Sequence, residues 1–240
     1  MQSDRPAIDR PVIARPAIDR PAIDRPALVA CDFDGTVSVE DVTDLIWDAH
    51  VPFDWRAILM PASRAGAITP LELIARGYAH VRPGPDQLLD EVRPLVTLRA
   101  GFEPFAMECR RRERPLHVIS HGLAFYIRAL LPPGVPFSAF HGAFIAGRWQ
   151  VTLPADVALE PGEDFKVHVL DGLRARHPGH AVVYVGDGRM DFPAARSADH
   201  VFAVRGSTLG RLCRQEGVPC VEFERFDEIA AALSGATPGP

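Results

Sequence analysis

Three apolar stretches, each closed by polar residues and glycine, divide the chain. Ala27-Leu28-Val29-Ala30 runs into Cys31-Asp32-Phe33-Asp34-Gly35-Thr36-Val37. Leu116-His117-Val118-Ile119 runs into Ser120-His121-Gly122, and Ala181-Val182-Val183-Tyr184-Val185 into Gly186-Asp187-Gly188-Arg189-Met190-Asp191. Apolar runs with little polar alternation predict strands buried on both faces. The intervening segments follow the helical period instead. With Val39 just ahead of it, a helix over Glu40–His50 gathers Val42, Leu45, Ile46 and Ala49 on one face, with Trp47 at the edge. Thr69-Pro70 sets an N-cap and a first-turn proline for a helix through Leu71, Leu73, Ile74 and Tyr78. Another helix begins near Pro85-Asp86 and runs through Leu88, Leu89 and Val92.

Further along, the pattern predicts a helix over Ala100–Arg112, with Phe102, Phe105, Met107 and Cys109 supplying its bulk, and another over Gly122–Leu131. A strand pair is expected within Phe137–Leu153 and a helix over Phe165–Arg176. Val201–Val204 reads as a short strand, followed by helices over Leu209–Glu216 and Phe226–Leu233. Strands alternating with helices imply an α/β fold with a mostly parallel sheet covered on both faces.

The N-terminal segment fits neither period. From Arg5, pentapeptides close to R-P-A-I-D repeat as far as Val29. A proline every fifth residue removes backbone donors and disfavours helix just before it. The repeat is also too short for a solenoid unit. Residues 1–26 are expected to form an extended, disordered tail, and residues 234–240 a flexible C-terminal one.

Composition narrows the function. The chain has 240 residues, 47% of them hydrophobic, which is enough for one α/β domain with an insertion. A formal charge of −5 gives no support for nucleic-acid binding. No apolar run approaches the ~20 residues that span a bilayer, and no signal-peptide core is present, so the expectation is a cytoplasmic protein without a membrane partner. Cys31, Cys109, Cys213 and Cys220 show no metal-type spacing and are expected to be reduced thiols.

The chemistry sits at the ends of the apolar runs. Asp32 and Asp34, spaced i and i+2, are expected on one side of the strand's carboxyl edge, where Gly35 permits a sharp turn. One carboxylate there can attack or bind a metal while the other moves protons. Ser120 closes the second run, and Asp187, between two glycines, closes the third. Lys166 is the one lysine in the chain; every other cationic side chain of that length is an arginine. Retention of a single lysine favours a specific use of its point charge.

Acid pair, hydroxyl, lysine and second acid pair, in that order, resemble the four motifs of the haloacid dehalogenase superfamily, from about Ala27 to about Leu233. The resemblance implies a Rossmann-like core over 27–40 and 99–233, with a helical cap over 41–98 closing on the active site, as in the phosphoserine-phosphatase-like branch. The pattern Phe202-Ala203-Val204-Arg205-Gly206, Leu209, Leu212-Cys213, Gly217-Val218, Phe223 and Phe226-Asp227-Glu228-Ile229 is similar to the 2-hydroxy-3-keto-5-methylthiopentenyl-1-phosphate phosphatase group. By this resemblance Asp32 is the nucleophile of an aspartyl-phosphate mechanism and Asp34 the general acid and base. Magnesium is held by the Asp32 carboxylate, the Asp34 backbone carbonyl and Asp187, with Asp191 and Gly188 in support. Ser120, the backbone after it at His121, and Lys166 bind phosphate.

His121 departs from the usual Ser-Gly-Gly of phosphoserine-phosphatase relatives; its imidazole is expected at the substrate entrance or paired with a cap carboxylate. Asp41 and Arg56 are candidate substrate contacts, together with Trp55, Arg64 and Tyr78. The implied activity is a magnesium-dependent phosphomonoesterase acting on a small molecule. Asp34 argues against a dehalogenase, which needs no second aspartate. A phosphomutase on the same core, and a non-catalytic binding protein using the repeat tail, are the alternatives; the sequence carries no sign of oligomeric state.

Overall fold

A computed structural model describes residue 23 and residues 25–234 of the chain. Apart from residues 23, 25, 26 and 234, the two tails expected over 1–26 and 234–240 lie outside the described residues.

The first apolar run forms β1 (Ala27–Cys31), buried along its whole length. A distorted turn over Phe33–Val37 follows, and then a helical insertion: α1 (Val42–His50), α2 (Trp55–Ile58), α3 (Met60–Arg64), α4 (Pro70–Tyr78) and α5 (Pro85–Val92). The chain returns through α6 (Phe102–Arg111), β2 (Leu116–Leu123), α7 (Ala124–Leu130), β3 (Phe137–Ile145) and β4 (Arg148–Thr152). It ends with α8 (Phe165–Arg176), β5 (Ala181–Gly186), α9 (Phe192–Ser197), β6 (His200–Val204), α10 (Thr208–Glu216), β7 (Val221–Phe223) and α11 (Phe226–Leu233).

The strands form one sheet in the order β4-β3-β2-β1-β5-β6-β7. Among the described residues, the β3–β4 pair is the only antiparallel pair of strands. β1 and β5 occupy the middle, which is why they read as continuous apolar runs: both of their faces are covered. Placing β1 between β2 and β5 brings the ends of all three apolar runs together at one edge of the sheet.

Several expectations change at the level of packing. Gly122 does not open a helix; β2 continues through it to Leu123, with a register shift against β3 between Ser120 and Leu123. Val39 and Ala49 are exposed, and the buried face of α1 is Val42, Thr43, Ile46 and Trp47. Trp47 turns inward because Trp55 meets it edge-on at 5.0 Å and Tyr78 lies 6.2 Å away. Met107 is 73% exposed instead of filling the core side of α6. The short helices α2 and α3, and the three-residue β7, have no periodic signal of their own; β7 exists through its pairing with β6. The Thr69 cap expected from sequence forms as a reciprocal capping box with Glu72, worth about 1 kcal/mol to the helix.

The insertion is anchored at two places. Its entry and exit lie side by side, with Val39 N–H donating to Thr97 O at 2.8 Å and Arg99 N–H to Val37 O at 2.7 Å. Its far side rests on the β3–β4 hairpin, where the Trp149 indole N–H donates to Pro83 O at 2.9 Å and the ring lies 5.5 Å from Tyr78. The four cysteines are free, and no helix among the described residues is long and apolar enough to cross a membrane.

Candidate active site

Asp32 leaves the end of β1 with its backbone N–H bonded to Val185 O of β5. The turn that follows is set by Gly35 at φ 76°, where a Cβ would stand 2.7 Å from an Asp187 carboxylate oxygen. The Arg99 guanidinium fixes the same turn by donating to Thr36 O and Gly35 O, each at 2.7 Å. Asp34 is thereby presented beside Asp32. Its Oδ1 accepts from Val42 N–H at 2.9 Å, and its Oδ2 from the Tyr126 hydroxyl at 2.7 Å and from Ser120 Oγ at 3.3 Å. Ser120 Oγ in turn accepts from Gly122 N–H at 2.9 Å.

Lys166, in the first turn of α8, is 2% exposed and bridges two carboxylates. Its Nζ lies 2.6 Å from Asp32 Oδ1 and 2.6 Å from Asp191 Oδ1. Burial alone would strip the ammonium of its proton, but Asp191 and Asp32 outweigh it and hold the lysine above its ordinary range. Asp191 is wholly buried and every lone-pair direction is used: Oδ1 also accepts from the Tyr184 hydroxyl at 2.7 Å, and Oδ2 from Asp187 N–H at 3.0 Å and Gly188 N–H at 2.7 Å. It is therefore much more than a helix cap; it orients both the lysine and the Gly186–Gly188 loop. Asp187 accepts from Thr36 Oγ1 at 2.9 Å.

Asp32, Asp34, Ser120, Lys166, Asp187 and Asp191, scattered over some 160 positions, thus converge at one sheet edge. Other candidates do not join them. The His121 ring is buried between Phe140, at 5.3 Å, and Phe165, at 5.9 Å, and its Nε2 meets no partner. It neither lines an entrance nor pairs with a carboxylate. Burial and then the nearby Lys166 push its pKa well down, so the ring is neutral. Arg56 stacks on Trp55 and is committed to Asp44 and Asp48 of α1, which neutralises the insertion's own acids. Trp55 and Tyr78 are buried in the packing of the insertion, and Arg64 is exposed on α3. Asp41 caps α1 by accepting from Asp44 N–H at 2.8 Å. The sequence reading missed Thr36, Arg99, Tyr126 and Tyr184. Thr36 was legible as part of the first motif; the others carry no local signal.

Four carboxylates face a single ammonium here, and Asp32, Asp187 and Asp191 each place an oxygen within 4.8 Å of the others. A cluster of hard oxygens with this charge imbalance fits a divalent cation. The strain is visible in the acids. Burial and then Asp191 push the Asp187 carboxyl from 3.8 up to about 7. Burial, opposed by the bonds from Tyr126 and Val42, leaves Asp34 at about 6. The folded chain therefore holds protons on these groups at pH values where the unfolded chain has lost them, so their contribution to stability declines as pH rises from about 4 to about 7. In chelator, the melting temperature should fall between about pH 4 and about pH 7, and excess magnesium should raise it most at the upper end. Melting at about pH 8 that ignores magnesium would contradict the fit.

Comparison with known proteins places this geometry in context. Residues 29–196 match the family model described as haloacid dehalogenase-like hydrolase. A 2-hydroxy-3-keto-5-methylthiopentenyl-1-phosphate phosphatase of Exiguobacterium sp. is 28% identical over 220 residues, covering 86% of this chain and 97% of the relative. A polyol phosphate phosphatase of Saccharomyces cerevisiae is 25% identical over 233 residues, covering 88% of this chain and 94% of the relative. Among solved structures, a phospho-aspartyl intermediate analogue of phosphoserine phosphatase superposes with a TM-score of 0.66 at 17% identity, covering 89% of this chain and all of that one.

Proposed function

Because the chain belongs to the haloacid dehalogenase-like hydrolase family and is a phosphatase, we propose that it is a magnesium-dependent phosphomonoesterase of small molecules, working in the cytoplasm through an aspartyl-phosphate. The observation that carries this reading is the buried Lys166, bonded at 2.6 Å to both Asp32 and Asp191. It pulls the buried Asp32 carboxyl toward its ionised form, against burial and Asp191, and aims it while supplying positive charge for a phosphoryl group.

In the first half-reaction an Asp32 oxygen attacks phosphorus, the P–O bond to the leaving group breaks, and Asp34 gives its proton to the departing alkoxide. In the second, Asp34 takes a proton from water as that water attacks phosphorus, releasing phosphate and restoring the Asp32 carboxylate. Ser120, the backbone N–H at His121 and Lys166 hold the phosphoryl oxygens. The Asp32 and Asp187 carboxylates and the Asp34 carbonyl would hold the magnesium ion, with Asp191 and Gly188 behind them. When bound, the metal supplies charge neutralisation to the phosphoryl oxygens. The insertion over 41–98 serves as a cap that excludes water from the site, its two adjacent linkers acting as the hinge. Its substrate is a small hydroxylated ester of the kind its relatives' names describe, such as a polyol phosphate or a methylthiopentenyl phosphate.

Phosphate release from a panel of such esters, measured with magnesium and with chelator, tests the reading. Turnover that requires magnesium supports it. No release from any ester by folded, magnesium-loaded protein would overturn it.

A further inference from the structure

One donor to Asp34 has no part in the scheme above. Tyr126, in the first turn of α7, is wholly buried, and its hydroxyl donates to Asp34 Oδ2 at 2.7 Å. The same hydroxyl lies 3.0 Å from Thr43 Oγ1, which is also buried and belongs to α1 of the insertion. Phenylalanine and valine would fill this volume without bringing polar atoms into it, and a buried hydroxyl is costly unless it is bonded. Here the bond goes to a carboxylate proposed to move protons, not to a backbone group.

The surroundings are shaped around that contact. A Cβ at position 122 would stand 1.7 Å from the Tyr126 hydroxyl oxygen and 2.6 Å from Asp34 Oδ2, so the contact exists because residue 122 has no side chain. Val42 N–H holds the other carboxylate oxygen at 2.9 Å. With one oxygen pinned from α1 and the other from α7, the plane of the carboxylate is fixed. Val42 and Thr43 are adjacent in the first turn of α1, so both anchors depend on where the insertion sits.

We propose that Tyr126 is a positioning residue for proton transfer to the leaving group: its hydroxyl aims the Asp34 carboxylate, and its contact with Thr43 makes that aim depend on the position of the insertion. The inference rests on the phosphatase reading and adds a residue to it.

The test exploits the leaving group. An alkyl phosphate from the panel needs a proton on its departing oxygen, whereas p-nitrophenyl phosphate releases a stable phenolate without one. In Tyr126→Phe, kcat/KM, which does not contain the second half-reaction common to both esters, should fall about 10- to 100-fold for the alkyl ester, a share of what general acid catalysis supplies, and by no more than about 3-fold for the nitrophenyl ester. Thr43→Val should show the same selectivity with a smaller loss, and it carries the test if Tyr126→Phe does not fold. Equal losses on the two esters, or no loss on either, would overturn the role of Tyr126 while wild-type turnover leaves the phosphatase reading intact. If wild type releases phosphate from neither ester, both are lost together.

Discussion

Asp32→Asn is expected to reduce phosphate release on the order of 10⁴-fold or more on every ester the wild type turns over, because an amide cannot form the acyl-phosphate bond. The loss should be in kcat and should not depend on the leaving group, which separates it from the selective loss expected of Tyr126→Phe. Stability should move differently. Burial and the nearby Asp191 push the Asp32 carboxyl up, against the pull of Lys166, so its ionised form is unfavourable in the metal-free fold. An amide of the same shape removes that burden. The variant should melt no lower than wild type in chelator, and it should gain less from added magnesium. Measurable turnover in Asp32→Asn, at a rate within about 10-fold of wild type, would assign the nucleophile elsewhere.

Lys166→Met should fail in both respects. The methionine fills most of the volume but leaves Asp32 and Asp191 facing each other without the ammonium that lies 2.6 Å from each. Removing one partner of a buried charge cluster typically costs about 3–5 kcal/mol, more than most single substitutions. The destabilisation should shrink as pH falls, since protonating Asp32 removes one of the opposed charges. Activity should be lost even where the protein remains folded, because among the described residues no other cationic side chain bonds to Asp32; Arg99 is turned to the backbone of the Phe33–Val37 turn. Lys166→Arg is not a conservative alternative. A planar fork cannot occupy a 2%-exposed slot shaped for a point charge between two carboxylates. Urea unfolding at several pH values, alongside phosphate release, checks both parts. A Lys166→Met protein as stable as wild type would show that the bridge contributes little.

The first of these predictions could be made from the chain alone, and the second only in part. Asp32, Asp34, Ser120 and Asp187 announce themselves locally, because each closes an apolar run where polar residues interrupt the pattern, and Lys166 does so as the one lysine of the chain. Tyr126 does not. It sits inside an apolar helix signal, and its hydroxyl finds Asp34 only when β2 and β1 lie side by side. Arg99 and Tyr184 are equally silent, one among 25 arginines and the other inside a buried strand. Histidine at 121 invited a functional reading because histidine so often moves protons, yet Phe140 and Phe165 enclose it. Arg56 invited one because it is cationic, yet its charge is spent on Asp44 and Asp48.

What the amino-acid sequence determined by itself were the elements with a period and the order of the polar residues that close them: the buried middle strands, the long helices, the Thr69 N-cap and the succession of acids, hydroxyl and lysine. These depend on neighbours within a few residues, which a linear pattern records. The tertiary structure decided everything that requires a partner from far along the chain. β2 runs past Gly122 because β3 offers it hydrogen bonds, and β7 is a strand only beside β6. Trp47 faces inward because Trp55 and Tyr78 meet it there. Asp191 changes from a helix-start acid to the hub of the site because folding buries it against Lys166 and Tyr184, where a carboxylate is tolerable only if every oxygen is satisfied.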